Sequence, residues 1–378
     1  MGDPSPELGL FRVLDEEGRV VGPPPELAPE RLLRLHRAMV LQRVLDERML
    51  TLQREGRVSF YGACTGEEAA CLASAAAAEP DDWIFPALRQ SGAMLLRGFD
   101  LVTWLCQVFG NAGDALKGRQ MPSHMSGREV NQVSWSSCIG SQLPQAVGAA
   151  LAMKLRGDRR VALAYIGDGG TASADFHAAM NFAGVLEPPV VILCQNNHWA
   201  ISTPTAAESG SATIAVKARA YGLPGARVDG NDALAVYAAT RTAVERARDG
   251  GGPSFLELET YRIGAHSTSD DPRVYRDEAE VEVWRRRDPL ARLGAYLRGR
   301  GLLDDAAAAA LRVELEALVH RAVAEAEALP APARETLLED VYARPPWQLA
   351  DQRRWLDPEP PGPARARESA GEGGRQAL

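Results

Sequence analysis

Past residue 143 the chain alternates short apolar runs with helix-forming stretches, and this alternation limits the fold more than any other feature. The runs at 161–166, 190–195, 226–228 and 254–263 are mostly continuous rather than alternating, so each strand has to be covered on both faces, the condition of a parallel sheet. Helical spacing fills the intervals at 145–155, 171–183 and 232–248. The expected architecture is α/β, a doubly wound parallel sheet with helices on both faces. An amphipathic helix is expected over 30–54 and an Ala-rich one over 66–78, with short helices and loops from 83 to 131. A helical, charged stretch over 278–329 follows the sheet, so helical N- and C-terminal extensions are expected. Residues 1–29, with a strand-like piece at 11–14 and Pro23-Pro24-Pro25, read as an arm of the kind that reaches a partner chain. A single domain over 30–357 and a disordered tail over 358–378 complete the organisation.

Composition excludes several partners. The 42 Lys and Arg against 50 Asp and Glu leave a net charge of −8, the wrong sign for nucleic acid or an anionic membrane. The five cysteines form no C-x-x-C pair, so neither a zinc ribbon nor a disulfide framework is indicated. The N-terminus lacks a basic stretch followed by an apolar one, and no run approaches 18 apolar residues. A cytoplasmic protein is the expectation.

The chemistry centres on Ala164-Tyr-Ile-Gly167-Asp168-Gly169-Gly170, a strand running into a glycine turn and then a helix. Such a turn lets backbone N–H groups approach a phosphate. Gly167-x-Gly169-x-x-Ala172 also fits a relaxed dinucleotide fingerprint, but Asp168 inside the turn would repel a pyrophosphate unless a cation lay between. The next strand also ends in Gln195-Asn196-Asn197, without the acid that a dinucleotide ribose requires. An acid after one strand and an amide after the next form an oxygen-ligand pair for a hard divalent ion. Magnesium suits it, because that ion completes its octahedron with substrate phosphates. A helix N-cap without metal is the plain alternative for Asp168.

Gly167-Asp-Gly169 followed after 26 residues by Asn196-Asn197 is the pattern of thiamine-diphosphate enzymes. Arg57-Val-Ser-Phe-Tyr-Gly, Lys117-Gly-Arg-Gln-Met-Pro-Ser-His, Gln142-Leu-Pro-Gln-Ala-Val-Gly, Gln195-Asn-Asn-His-Trp-Ala-Ile-Ser-Thr-Pro and Thr260-Tyr-Arg-Ile-Gly-Ala-His-Ser-Thr-Ser-Asp-Asp extend the likeness from about residue 11 to residue 356. In these blocks the chain resembles the α subunit of the first, decarboxylating component of branched-chain 2-oxo-acid dehydrogenase complexes. The resemblance implies a thiamine-diphosphate-binding fold, with Asp168, the Asn197 side chain and the Trp199 carbonyl as magnesium ligands. It further implies Gly167, Gly169, Gly170, Gln195 and Ala200 at the cofactor, Arg89 and His266 at the diphosphate, and Ser137 and Ile139 at the aminopyrimidine. Ser136, Cys138, Ser141 and Gln142 align with a potassium-binding loop of some relatives. His266 and Ser267 are the catalytic candidates on a loop over 262–276. Ser267 matches a position phosphorylated in some relatives, whereas Asp277 occupies the second such position.

Two departures remove expected donors. Leu88 stands where many relatives have a tyrosine that hydrogen-bonds the diphosphate, and Gln195 where some have an arginine; a lost charge-assisted contact costs about 1.5 to 3 kcal/mol. Asn196, His36, His177 and His320 are expected to be structural, and His124 stays open between solvated loop residue and site residue.

The resemblance also implies partners. The superfamily's activating glutamate comes from a second α/β domain for which this chain shows no candidate, so a β subunit would complete the site in a heterotetramer. The implied reaction is decarboxylation of a branched 2-oxo acid, with reductive acylation of the lipoyl group of an acyltransferase core. The alternatives are a pyruvate or acetoin dehydrogenase α subunit, a non-catalytic assembly subunit and an NAD-dependent oxidoreductase. The Ala-rich helix at 66–78 and the small-residue helix at 145–152 are the expected contact surfaces.

Overall fold

The computed structural model describes residues 9–356; the tail expected over 358–378 lies outside them. Eight strands occur among these residues: β1 (Leu10–Phe11), β2 (Trp83–Phe85), β3 (Ala162–Gly167), β4 (Val190–Asn196), β5 (Trp199–Ala200), β6 (Thr203–Pro204), β7 (Gly225–Asp229) and β8 (Ser254–Glu259). Six make one sheet in the order β1-β7-β8-β4-β3-β2, and every pairing in it is parallel. β5 and β6 form a separate antiparallel hairpin.

The helices are α1 (Pro29–Arg54), α2 (Glu68–Ala77), α3 (Ser91–Leu96), α4 (Leu101–Phe109), α5 (Gln142–Leu155), α6 (Ala174–Leu186), α7 (Thr205–Glu208), α8 (Ala233–Arg248), α9 (Glu278–Arg285), α10 (Pro289–Gly299), α11 (Asp305–Glu327) and α12 (Trp347–Trp355). Successive residues of β3 point to opposite faces. Ala162, Ala164 and Ile166 pack with α5 and α6, whereas Leu163 and Tyr165 pack with α2 and α8. The sheet is therefore covered on both sides, as its continuous apolar runs require. A third core joins α1, α4 and α11 through Leu45, Met49, Trp104, Leu315 and Val319, forming the helical extensions as one layer.

Several expectations are corrected. The arm is seated on its own chain: β1 pairs with β7, and Val13 and Leu14 are fully buried. The Asp232 carboxylate accepts both of their N–H groups, at 2.7 and 2.6 Å, while capping α8 through Leu234 and Ala235. The Ala-rich helix α2 is no partner surface, because nine of its ten residues are buried, against α8 among others. The segment after the glycine turn starts as a 3-10 turn over Gly169–Ala172, and α6 begins only at Ala174, where Ser173 caps it. Trp83–Phe85 is an edge strand rather than loop; three residues are too few to show a period. The chain divides into a unit ending at Ala331 and a second one from Pro332 that holds α12. The Pro330, Pro332 pair breaks the helical chain at that point.

Candidate active site

The site lies where β3 and β4 end. Gly167 pairs in register with Gln195, so Asp168 and Asn196-Asn197 leave adjacent parallel strands at the same carboxyl edge, where ligands of open α/β sheets collect. A cavity of about 520 Å³ opens there. Polar and glycine lining comes from Glu67, Arg89, Gln90, Ser136, Ser137, Gln142, Gly167, Asp168, Gly169, Gly170, Gln195, Asn197, Glu208 and His266; Phe60, Leu88, Trp135, Ile139, Ile166, Trp199, Ala200 and Ile201 supply apolar surface. Of the sequence-predicted residues, Cys138, Ser141 and Ser267 do not line it. Ser141 donates to the Cys138 carbonyl at 2.7 Å, and Ser267 Oγ accepts from the Ser269 N–H at 3.4 Å.

The glycines are dictated by space. A Cβ on Gly169 would lie 2.4 Å from the Ala200 Cβ and 2.9 Å from Glu208 Oε1, and one on Gly170 would lie 2.5 Å from Ile166 Cγ1. Gly167 has nothing within 4 Å of such an atom and faces open space. Asp168 is 3% exposed and accepts from the Thr205 hydroxyl at Oδ2. Burial raises its pKa, opposed by the Thr205 hydrogen bond and assisted by the charge of Glu67. Glu208 is pushed up to about 7 by burial and by Asp168, and its Oε2 is buried with no hydrogen-bond partner. His266 is lowered to about 4 by burial, then by Arg89 and Arg262, so at neutral pH it carries a lone pair and a single N–H.

Beneath these groups runs a hydrogen-bond network that sequence reasoning missed. Glu67, fully buried, accepts at Oε2 from Gln195 Nε2 at 2.5 Å and from Asn197 Nδ2 at 3.0 Å. Its Oε1 lies 3.1 Å from Arg89 Nε. Gln90 Nε2 donates to Gln195 Oε1 at 2.6 Å. The Gln195 amide, expected to retain a donor for the cofactor, thus spends one of its two N–H bonds on Glu67. A cue was present: Glu67-Glu68 opens a helix that is otherwise Ala, Cys, Leu and Ser, and a carboxylate entering an apolar core needs a buried partner. Glu68 finds Arg43 and Glu67 finds the site. His124 also belongs here: its Nε2 meets Ser137 Oγ, and its ring lies 4.0 Å from that of Trp135. Asn196 is structural, donating to Glu257 at 2.7 Å and accepting from the His198 N–H at 3.2 Å. His36 is buried between helices, and His177 meets the Tyr221 hydroxyl at the surface at 2.5 Å.

The donor set suits a diphosphate held through a hard cation. Asp168 Oδ, Asn197 Oδ1 and the Trp199 carbonyl are all oxygens. Among the described residues no three His, Cys, Asp or Glu side chains are grouped to hold a metal by themselves. A cation here would need oxygens from its ligand, the habit of magnesium at phosphates. Arg89 and His266 offer N–H groups beside a glycine turn in which close packing at Gly169 and Gly170 excludes any larger residue.

Fold and site together define an α/β protein with a polar, glycine-lined cavity at the carboxyl edge of a parallel sheet. The chain belongs to the dehydrogenase E1 component family, whose profile matches residues 36–335. It is 44% identical over 355 residues to a Pseudomonas aeruginosa protein named 2-oxoisovalerate dehydrogenase subunit alpha, a match covering 92% of this chain and 87% of that one. An Arabidopsis thaliana protein named 2-oxoisovalerate dehydrogenase subunit alpha 2, mitochondrial, is 43% identical over 345 residues, covering 90% of this chain and 73% of the relative. The Homo sapiens 2-oxoisovalerate dehydrogenase subunit alpha, mitochondrial, is 41% identical over 352 residues, covering 92% and 79%. Among the described residues no helix is long and apolar enough to cross a membrane.

Proposed function

We propose that this chain is the α subunit of a thiamine-diphosphate-dependent dehydrogenase that oxidatively decarboxylates branched-chain 2-oxo acids of the 3-methyl-2-oxobutanoate type. In this role it passes the acyl group to the lipoyl domain of a partner acyltransferase. The carrying observation is the juxtaposition of Asp168 and Asn197 on paired strands above a glycine turn in which a Cβ at Gly169 would meet Ala200 at 2.4 Å. Asp168, Asn197 and the Trp199 carbonyl hold magnesium, and Gly169, Gly170, Arg89 and His266 hold the diphosphate. When bound, thiamine diphosphate supplies the carbon nucleophile and the electron sink for loss of the substrate carboxylate. The chain's own contributions are binding, orientation and exclusion of water. Ile139 and Trp135 give the cavity an apolar wall, and His266, neutral at pH 7, can donate a hydrogen bond without adding charge. Ser136, Cys138, Ser141 and Gln142 form the loop for potassium, in which Ser141 Oγ donates to the Cys138 carbonyl at 2.7 Å and Gln142 Nε2 donates to the Tyr165 carbonyl at 2.7 Å.

A β subunit completes the site in an α2β2 heterotetramer. The surface that fits it is the outward side of α5 and α6, where Gln145, Gly148 and Ala152 are exposed beside Leu155 (79%), Phe182 (55%) and Val185 (72%). All five cysteines stand free, as in a reducing, cytoplasmic compartment. Co-expression with candidate β chains, followed by decarboxylation assays over a panel of 2-oxo acids, tests the reading. Branched substrates should be preferred, and equal or better turnover of pyruvate would overturn it.

A further inference from the structure

An asparagine amide has one end that only donates and one that only accepts, and its partners decide which end faces which way. An ionised carboxylate accepts only. Asn197 Nδ2 lies 3.0 Å from Glu67 Oε2, so the amino end faces Glu67 and Oδ1 points away from it. There Oδ1 accepts the Trp199 N–H at 3.3 Å, and its second lone pair stays available in the cavity that Asn197 and Asp168 both line. The other Glu67 oxygen is 3.1 Å from Arg89 Nε, while Arg89 Nη1 and Nη2 each spend one of their two N–H bonds, on the Ala63 and His266 carbonyls, and keep the other. Fully buried, Glu67 thus anchors a neutral oxygen donor and an arginine of the same cavity.

We propose that Glu67 is the positioning residue of the cation site: it touches neither cation nor substrate, and it orients the Asn197 amide so that Oδ1 serves as a ligand. The inference rests on the reading of Asp168 and Asn197 as cation ligands. It makes a counterintuitive statement about charge. Replacing Asn197 by Asp would ordinarily strengthen a divalent-cation site by adding an anionic oxygen. Here that change sets two carboxylates against each other and removes the donor that Glu67 requires, so it weakens the site. Exchanging both groups, amide for carboxylate and carboxylate for amide, restores one donor and one acceptor between positions 67 and 197, while the Gln195 N–H that Glu67 also accepts loses its acceptor, so the repair is partial.

The test titrates Mn2+ as a paramagnetic probe into the assembled α and β protein with saturating thiamine diphosphate, reading free Mn2+ by electron paramagnetic resonance. Glu67→Gln and Asn197→Asp should each raise the Mn2+ Kd at least tenfold, and the double variant Glu67→Gln/Asn197→Asp should bind Mn2+ at least threefold more tightly than the weaker of the two single variants. Parent protein that binds no Mn2+ would remove the cation reading itself. Parent binding with an Asn197→Asp variant that binds more tightly, or a double variant no better than its weaker single parent, would overturn the role of Glu67 alone. If Glu67→Gln fails to assemble, Asn197→Asp and the double variant still decide. Unfolding midpoints measured alongside separate the roles, since a merely structural defect would lower the midpoint and would not be repaired by the exchange.

Discussion

Arg262 donates from Nη1 to the Trp199 carbonyl at 3.0 Å, binding the loop over 262–276 to the turn that carries Asn197 and Trp199. Its Nη2 reaches the Ile201 carbonyl at 2.7 Å and the Tyr275 hydroxyl at 2.8 Å. The Tyr275 hydroxyl in turn donates a hydrogen bond to Asp270 Oδ2 at 2.5 Å, and the same oxygen accepts the backbone N–H of His266 at 2.7 Å. A continuous chain of hydrogen bonds therefore runs from the Trp199 carbonyl to the backbone of His266. Arg262 is 1% exposed, and burial together with the charge of Arg89 lowers its pKa. A buried cation in this position makes the placement of loop and turn interdependent.

The loop is accordingly expected to be tightened by magnesium and thiamine diphosphate. In the assembled protein, proteolysis within 262–276 should slow several-fold when both are added. His266→Ala should weaken cofactor retention about tenfold with little effect on assembly. Cleavage at the same rate with and without the cofactor would show the loop to be a passive linker.

Asp168→Ala should abolish tight, magnesium-dependent binding of thiamine diphosphate, measured by isothermal titration of the assembled protein. Cooperative folding should persist, because the visible loss is the hydrogen bond from the Thr205 hydroxyl, worth about 1.5 to 3 kcal/mol. Undiminished affinity would refute the assignment of the cation ligand.

How much of this was legible depended on whether the signal was local. The sheet was readable because 161–166 and 190–195 are apolar on both faces, and no other environment accepts that pattern. Asp168 and Asn197 were readable because their spacing lies within one strand–helix–strand unit. Glu67 was not, because its partners lie in two segments remote from it, Arg89 in one and Gln195 and Asn197 in the other, and only the fold brings them together. Likewise, 11–14 suggested a strand but not its partner, since the pairing of β1 with β7 joins residues more than 200 apart.

Asp232 is the residue that closes that long-range pairing, and its loss should be costly. Asp232→Ala removes the α8 cap and leaves the buried N–H groups of Val13 and Leu14 without acceptors. The expected destabilisation is roughly 3 to 5 kcal/mol, seen as a lower unfolding midpoint. A shift worth less than about 1 kcal/mol would mean that the 10–14 segment contributes little to folding.

The chain alone should show no decarboxylase activity, and the surface that recruits the β subunit can be tested without disturbing the fold. Gly148 has nothing within 4 Å of a built Cβ, so Gly148→Glu is accommodated in the isolated chain. Placed on the outward side of α5, the new charge should weaken assembly at least tenfold, as measured by co-purification or analytical ultracentrifugation. Unchanged assembly would move the interface elsewhere, and turnover by the chain free of any partner would end the shared-site reading.

His36 offers a test of how stability depends on acid. It is 5% exposed, packs from α1 beside Gly294 of α10, and has a buried Nδ1 without a partner. Burial, aided by Arg298, lowers its pKa to about 4. The unfolded chain takes up this proton near pH 6.5 and the folded chain only near 4, so the unfolded state binds more protons between those values. The stabilisation from keeping His36 neutral is thus fully present above pH 6.5 and is lost as the pH falls toward 4. By pH 5 the loss amounts to about 2 kcal/mol. His36→Leu removes this titration and leaves the carboxylates in place, so urea unfolding of the parent should lose about 2 kcal/mol relative to the variant between pH 7 and pH 5. Parallel pH curves for the two proteins would show that His36 is reached by water in the folded state and titrates there as it does in the unfolded chain.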